Sequence, residues 1–176
     1  MLKKPQFKII FGLGNPGEEY EKTYHNVGFL FVSFLLKNPE YLVADKIKLV
    51  EQIKTFMNVS GPAVLKEIKK RKLKTGEVLI AHDDADIEIG KYKIDFNRGS
   101  AGHHGVESII KSLGTKNFWR LRIGIAPVIQ IDTNINTNTH KSLKRKKAIE
   151  YVLKKISKKD MGKLEQVFNQ IAQELS

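Results

Sequence analysis

Short apolar runs of strand length alternate along this chain with longer segments whose apolar residues recur at helical spacing, and that alternation limits the fold more than any other feature. Phe7–Phe11 is mostly apolar and closed by Gly12, which reads as a first strand. Asn26–Leu36 carries Val27, Leu30, Phe31, Phe34 and Leu35 on one helical face and stops at Asn38-Pro39, as expected where proline ends a helix. Strands are predicted again at Lys46–Val50, Glu77–Ala81, Tyr92–Phe96 and Trp119–Ile125. Helices are predicted at Gly61–Lys72, His103–Leu113, Lys141–Ile156 and Asp160–Leu175, and an Asn- and Thr-rich loop at Ala126–Thr139. Strands interleaved with helices pack as layers. The expected fold is α/β: a single-domain, three-layer sandwich with a twisted mixed sheet flanked by helices, spanning 1–176 with no internal repeat.

The length of 176 residues suits one compact domain. No stretch approaches the ~18 consecutive apolar residues of a membrane-spanning helix, and the N-terminal apolar run lacks a small-residue cleavage site. A cytoplasmic, monomeric protein without membrane association is therefore expected. The absence of cysteine excludes disulfides, thiol nucleophiles and cysteine-based zinc sites. The net charge of +12 suits a polyanionic partner such as nucleic acid. All but five of the 31 basic residues are lysine, so the same excess also fits a bias of genome composition.

Polar clusters follow the predicted strands, and ligands in such folds gather at the C-terminal ends of strands. Gly12-Leu13-Gly14-Asn15-Pro16-Gly17 matches the dinucleotide fingerprint in its glycines. Pro16 removes a backbone N–H there, however, and Glu18 and Glu19 add negative charge. A tight turn explains the glycines but not Asn15, whose amide suits reading another amide. In Thr23-Tyr24-His25-Asn26, the imidazole of His25 titrates in the right range for a general base, although a lone histidine is commonly structural. Asn58 or Ser60 either caps the following helix or, for Asn58, offers an amide to a cleft. His82-Asp83-Asp84-Ala85-Asp86 admits a divalent metal, a solvated turn, or one aspartate orienting a histidine. Arg98 to Gly105 opens a helix, as an anion-accepting start or an ordinary turn. The adjacent His103 and His104 do not make a zinc pattern, and no metal is expected. A G-x-S-x-G elbow is absent, so the simplest hydrolytic scheme uses water directly.

Together these clusters resemble the bacterial peptidyl-tRNA hydrolase family. The blocks run in the family's order: Gly12–Gly17 with Tyr20, Thr23–Asn26, Thr55-Phe56-Met57-Asn58 with Ser60-Gly61, His82-Asp83 with Asp86 and Gly90, and Gly102–Gly105 followed by Leu113-Gly114 and Phe118–Ile125. The resemblance implies hydrolysis of the ester joining a peptide to the 3′ end of tRNA, with no cofactor. It implies His25 as the base that activates water, Asp83 as the group that keeps it basic and oriented, and Asn15 as the residue that tells an N-blocked aminoacyl group from a free one. Tyr20, Phe56, Asn58, His103 and His104 fall at positions that meet the tRNA end or the peptide. Lys93 and Arg122 match basic positions near tRNA phosphates. The chain departs from the pattern at His104, where the family usually has Asn, and at Tyr24, where it usually has Arg. An imidazole cannot present a donor and an acceptor from one end as a primary amide does. Two other readings remain: a non-catalytic RNA-binding relative, and a nucleotide-dependent enzyme.

Overall fold

The computed structural model describes residues 7–41, 48–50, 53, 55–127 and 151–176. Its strands are β1 (Ile9–Gly12), β2 (Lys48–Val50), β3 (Val78–Glu88), β4 (Tyr92–Phe96) and β5 (Trp119–Ala126). They form one five-stranded sheet in the order β2-β1-β3-β5-β4. All neighbours are parallel except β4, which runs antiparallel to β5. The helices are α1 (Val27–Lys37), α2 (Ser60–Lys70), α3 (His104–Leu113) and α4 (Lys158–Leu175).

Side chains alternate across the sheet, as strand geometry requires, and so build two cores. On one face Ile10, Leu79, Leu121 and Ile123 pack with Phe31 and Leu35 of α1 and with Phe168 and Ile171 of α4. On the other face Ile9, Phe11, Val78 and Ile80 pack with Val64 and Ile68 of α2 and with Val106 and Ile109 of α3. This is the expected three-layer mixed-sheet sandwich. Among the described residues, no helix is long and apolar enough to cross a membrane.

Several predicted boundaries move for identifiable reasons. A short 3-10 turn, Tyr24–Asn26, precedes α1. Helix α2 begins at Ser60 directly after a 3-10 turn, Met57–Val59. The backbone N–H of Ser60 already bonds to Met57 O and its hydroxyl donates to the same carbonyl, so neither Ser60 nor Asn58 is a helix cap. The third strand does not end at Ala81: it continues through His82, Asp83 and Asp84, all buried and paired with β5. Residues 128–150, most of the predicted Lys141–Ile156 helix and of the Ala126–Thr139 loop, lie outside the described residues. Tyr151 and Val152 are helical, but the chain turns at Leu153, so that helix does not reach Ile156.

The pairing of α1 with the sheet depends on missing side chains. A Cβ on Gly28 would lie 2.2 Å from Ala81 O, and one on Gly12 would lie 2.3 Å from Gly28 O. Helix and strands therefore meet backbone to backbone, and the turn before α1 sits directly over the C-terminal half of β3.

Candidate active site

The extension of β3 carries Asp83 past the end of its pairing with β1, where two histidines from different elements converge on it. His25, in the 3-10 turn, places Nδ1 2.9 Å from Asp83 Oδ1. His103, at the N-cap of α3, places Nε2 2.9 Å from the same oxygen. The tautomers follow from the partners. A carboxylate oxygen accepts only, so His25 donates its Nδ1–H and keeps the Nε2 lone pair. His103 Nδ1 accepts the Val106 N–H at 3.3 Å, so its proton is on Nε2 and is donated to Asp83.

Charge and burial compete at this cluster. Burial alone would pull the His25 imidazole down, but the Asp83 carboxylate outweighs it by charge and by hydrogen bond and holds the pKa above its ordinary value. Burial would push Asp83 up, yet the two imidazoles hold its carboxyl far below the usual range. His82 is fully buried, donates Nδ1–H to Asp83 O at 2.7 Å, and is kept neutral by burial and by His103 beside it.

Asn15 is fixed from two sides. Its backbone N–H donates to Asn26 Oδ1 at 2.8 Å, and Asn26 Nδ2 donates back to Asn15 O at 2.9 Å. Its side-chain Oδ1 accepts the Met57 N–H at 2.8 Å. The acceptor end of the amide is thus occupied, and Nδ2 is the end left to meet a ligand. The clamp made by Asn26 was not read from the sequence. The only available signal was a second amide-bearing residue next to His25.

Around this centre the other predicted residues divide. Tyr20 and Phe56 form an edge-to-face pair with ring centroids 6.4 Å apart, and Phe56 is 55% exposed. Asn58 is exposed in the turn beside Met57. His104 points outward, 67% exposed, with Nδ1 4.0 Å from Glu107. Lys93 is exposed on β4, opposite Arg122 of β5. Arg122 itself is buried and held by Asp84 at 2.7 Å and Asp95 at 2.8 Å. A separate cleft of about 230 Å³ is lined by His82, Asp84, Arg98, Ser100, Arg120 and Arg122. Arg120 donates to Gly99 O, while its Nε and Nη2 find no hydrogen-bond partner among the described residues. Burial and the adjacent Arg122 bring its pKa down to about 10.

Two alternatives weighed from the sequence do not fit this geometry. Asp83 and Asp84 are consecutive on a strand and face opposite sides, one toward histidines and the other toward Arg122, so they cannot share an ion. Among the described residues, the group that brings metal-binding atoms together is His25, Asp83 and His103, within 4.8 Å of one another. Its short contacts are satisfied by N–H donors. The Gly12–Gly17 turn does not open a helix, since α1 starts only at Val27, so the dinucleotide arrangement of turn and helix N-terminus is missing.

A centre of this kind holds an imidazole with a free, basic nitrogen next to an amide donor and an aromatic rim, suited to attack by water on a carbonyl beside a nucleobase. Comparison with known proteins agrees. The family model described as peptidyl-tRNA hydrolase matches residues 9–176. The peptidyl-tRNA hydrolase of Mycoplasma mycoides is 37% identical, with 92% of this chain and 87% of that protein covered. That of Thermodesulfovibrio yellowstonii is 46% identical over 66% of this chain and 71% of its own length. The crystal structure of peptidyl-tRNA hydrolase from Acinetobacter baumannii superposes with a TM-score of 0.79 at 26% identity, covering 97% of this chain and 87% of that one. On these matches, the chain belongs to the peptidyl-tRNA hydrolase family and is a hydrolase of peptidyl-tRNA.

Proposed function

We propose that His25 is the general base of this hydrolase and that Asp83, Asn15 and the residues around them divide the remaining work. Water held by His25 Nε2 attacks the ester carbonyl that joins the peptide to the 3′ oxygen of the tRNA. The imidazole takes the proton, and the imidazolium returns it to the departing 3′ oxygen as the tetrahedral intermediate collapses. Asp83 accepts the Nδ1–H throughout and stabilises the imidazolium. The observation that carries this reading is the hydrogen bond of His25 Nδ1 to Asp83, which leaves Nε2 as the basic atom.

Asn15 Nδ2 donates to a peptide carbonyl on the substrate. A free aminoacyl group has no such carbonyl and brings an ammonium toward an N–H donor, so it is rejected. Tyr20 and Phe56 offer ring surface to the terminal base, and Asn58, His103 and His104 border the same substrate path. Arg122 is engaged by carboxylates and Arg120 is buried, so the phosphates fall to the exposed Lys93 and Arg98. The whole chain, 1–176, works as one domain, as a monomer in the cytoplasm, and needs no cofactor.

The direct test compares N-acetylaminoacyl-tRNA with its free-amine counterpart, with chelator present, for the wild-type chain and His25→Ala. Cleavage of the blocked substrate alone, lost in the folded variant, is expected. Retained turnover in His25→Ala would falsify the mechanism, and binding without hydrolysis by the wild type would favour a non-catalytic RNA binder.

A further inference from the structure

The turn that carries His25 is held from outside by a segment far away in the sequence. Tyr24 N–H donates to Lys154 O at 3.2 Å, and Ile156 N–H donates to Lys22 O at 2.8 Å. Thr23 and Lys155 form an antiparallel bridge. The ammonium of Lys155 donates to the carbonyls of Glu18 at 3.3 Å and Glu19 at 2.6 Å. Tyr24, 3% exposed, stacks on Tyr151 with centroids 4.4 Å apart and donates its O–H to Asp160 Oδ2 at 2.6 Å. Asp160 stands in the first turn of α4, and its own N–H bonds to the Ser157 hydroxyl at the N-cap.

A 3-10 turn of three residues has little stiffness of its own, and Thr23 at its N-cap makes no side-chain cap bond. The direction of His25 must therefore come from tertiary contacts. Asp83 supplies one of them from inside the cleft. Asn26, clamped to Asn15, supplies a second, and Tyr24 supplies a third from the opposite side, buried in the core shared by α1 and α4. The peptide between residues 24 and 25 is thus anchored at both ends.

We propose that Tyr24 and Asp160 are positioning residues: through their hydrogen bond, the C-terminal helix sets the angle at which His25 presents Nε2 to the ester. The proposal rests on the reading of His25 as the base. A small misplacement of a catalytic group costs rate far more than binding, so the effect belongs in kcat.

The test is steady-state hydrolysis of N-acetylaminoacyl-tRNA by the full chain carrying Tyr24→Phe, Asp160→Ala, Asp160→Asn, or Tyr24→Phe with Asp160→Ala, each checked by thermal melting. Tyr24→Phe keeps a ring to stack on Tyr151, so folding is retained. Tyr24→Phe and Asp160→Ala are each expected to lower kcat about tenfold with KM within about twofold. The double variant should be no slower than either single one, because one bond is lost in all three. Asp160→Asn still offers an oxygen to the phenol and should hold kcat within about twofold of wild type. Unchanged kcat in Tyr24→Phe and Asp160→Ala, losses that multiply in the double variant, a change confined to KM, or Asp160→Asn as slow as Asp160→Ala would overturn the proposal. A wild-type chain that does not hydrolyse the substrate would overturn the hydrolase reading instead.

Discussion

His25 Nδ1 lies 2.9 Å from Asp83 Oδ1, and this one contact decides which nitrogen of the imidazole can act. The carboxylate takes the Nδ1 proton, and the reactive lone pair is left on Nε2. Because Asp83 also receives His103, it stays ionised in a buried place where a carboxyl would otherwise hold its proton.

Asp83→Asn keeps the shape but removes the charge. The base must be deprotonated to work, so activity rises as pH rises through the pKa of His25. Asp83 holds that pKa above its ordinary value. Without the charge, burial alone acts on the imidazole and lowers it. The acidic limb of kcat/KM should therefore move to lower pH, while the plateau falls on the order of 10²- to 10⁴-fold through loss of the correct tautomer. A pH–rate profile measures both. A limb unmoved or shifted upward would contradict the assignment.

Asn15→Asp retains the oxygen that accepts Met57 N–H but replaces the free donor with an acceptor. The protein should fold normally and lose kcat/KM for N-acetylaminoacyl-tRNA on the order of 10- to 100-fold, the cost of a missing hydrogen bond facing a carbonyl. Discrimination between blocked and free aminoacyl-tRNA should shrink with it. Equal selectivity in the variant would remove Asn15 from substrate reading.

Phe56 is exposed although it is large and apolar, and its only aromatic neighbour among the described residues is Tyr20. Phe56→Ala costs little packing. If the ring stacks on a base, its loss should raise KM about tenfold, in line with ~1–3 kcal/mol per stacked base, with melting temperature unchanged. An unchanged KM would assign the ring to some other contact.

The layered fold was legible because β1, β4 and α3 carry their periodicity in apolar residues, and their predicted bounds differ from the observed ones by two residues or fewer. The third strand was cut short because the apolar pattern stops at Ala81. His82, Asp83 and Asp84 are polar yet buried, and what makes that tolerable, partners on α3, β5 and the His25 turn, is invisible in local sequence. The same limit hid the Asn26 clamp on Asn15, which joins residues whose roles looked separate. The resemblance implies a phosphate contact for Arg122, whereas Asp84 and Asp95 hold it in the fold. Asp95 stands on β4, which the chain brings against β5 only through the fold.

That occupation separates two arginines that a charge count treats alike. Arg122 lies between two carboxylates and is buried, so Arg122→Gln should act first on stability. Removing one partner of a buried pair costs about 3 kcal/mol, which for a chain of this size lowers the melting temperature by roughly 6–12 °C. Arg98 is 58% exposed in its side chain, is only loosely paired with Asp95 at 3.9 Å, and lines the cleft beside His82. Arg98→Gln should leave the melting temperature unchanged, weaken tRNA binding, and reduce the slope of log K against log salt by about one. Titrating binding of the two variants across salt concentrations, alongside melting, tests the division. If Arg122→Gln instead changes the salt slope at wild-type stability, Arg122 reaches the phosphates despite its carboxylates, and the basic wall of the cleft must be reassigned.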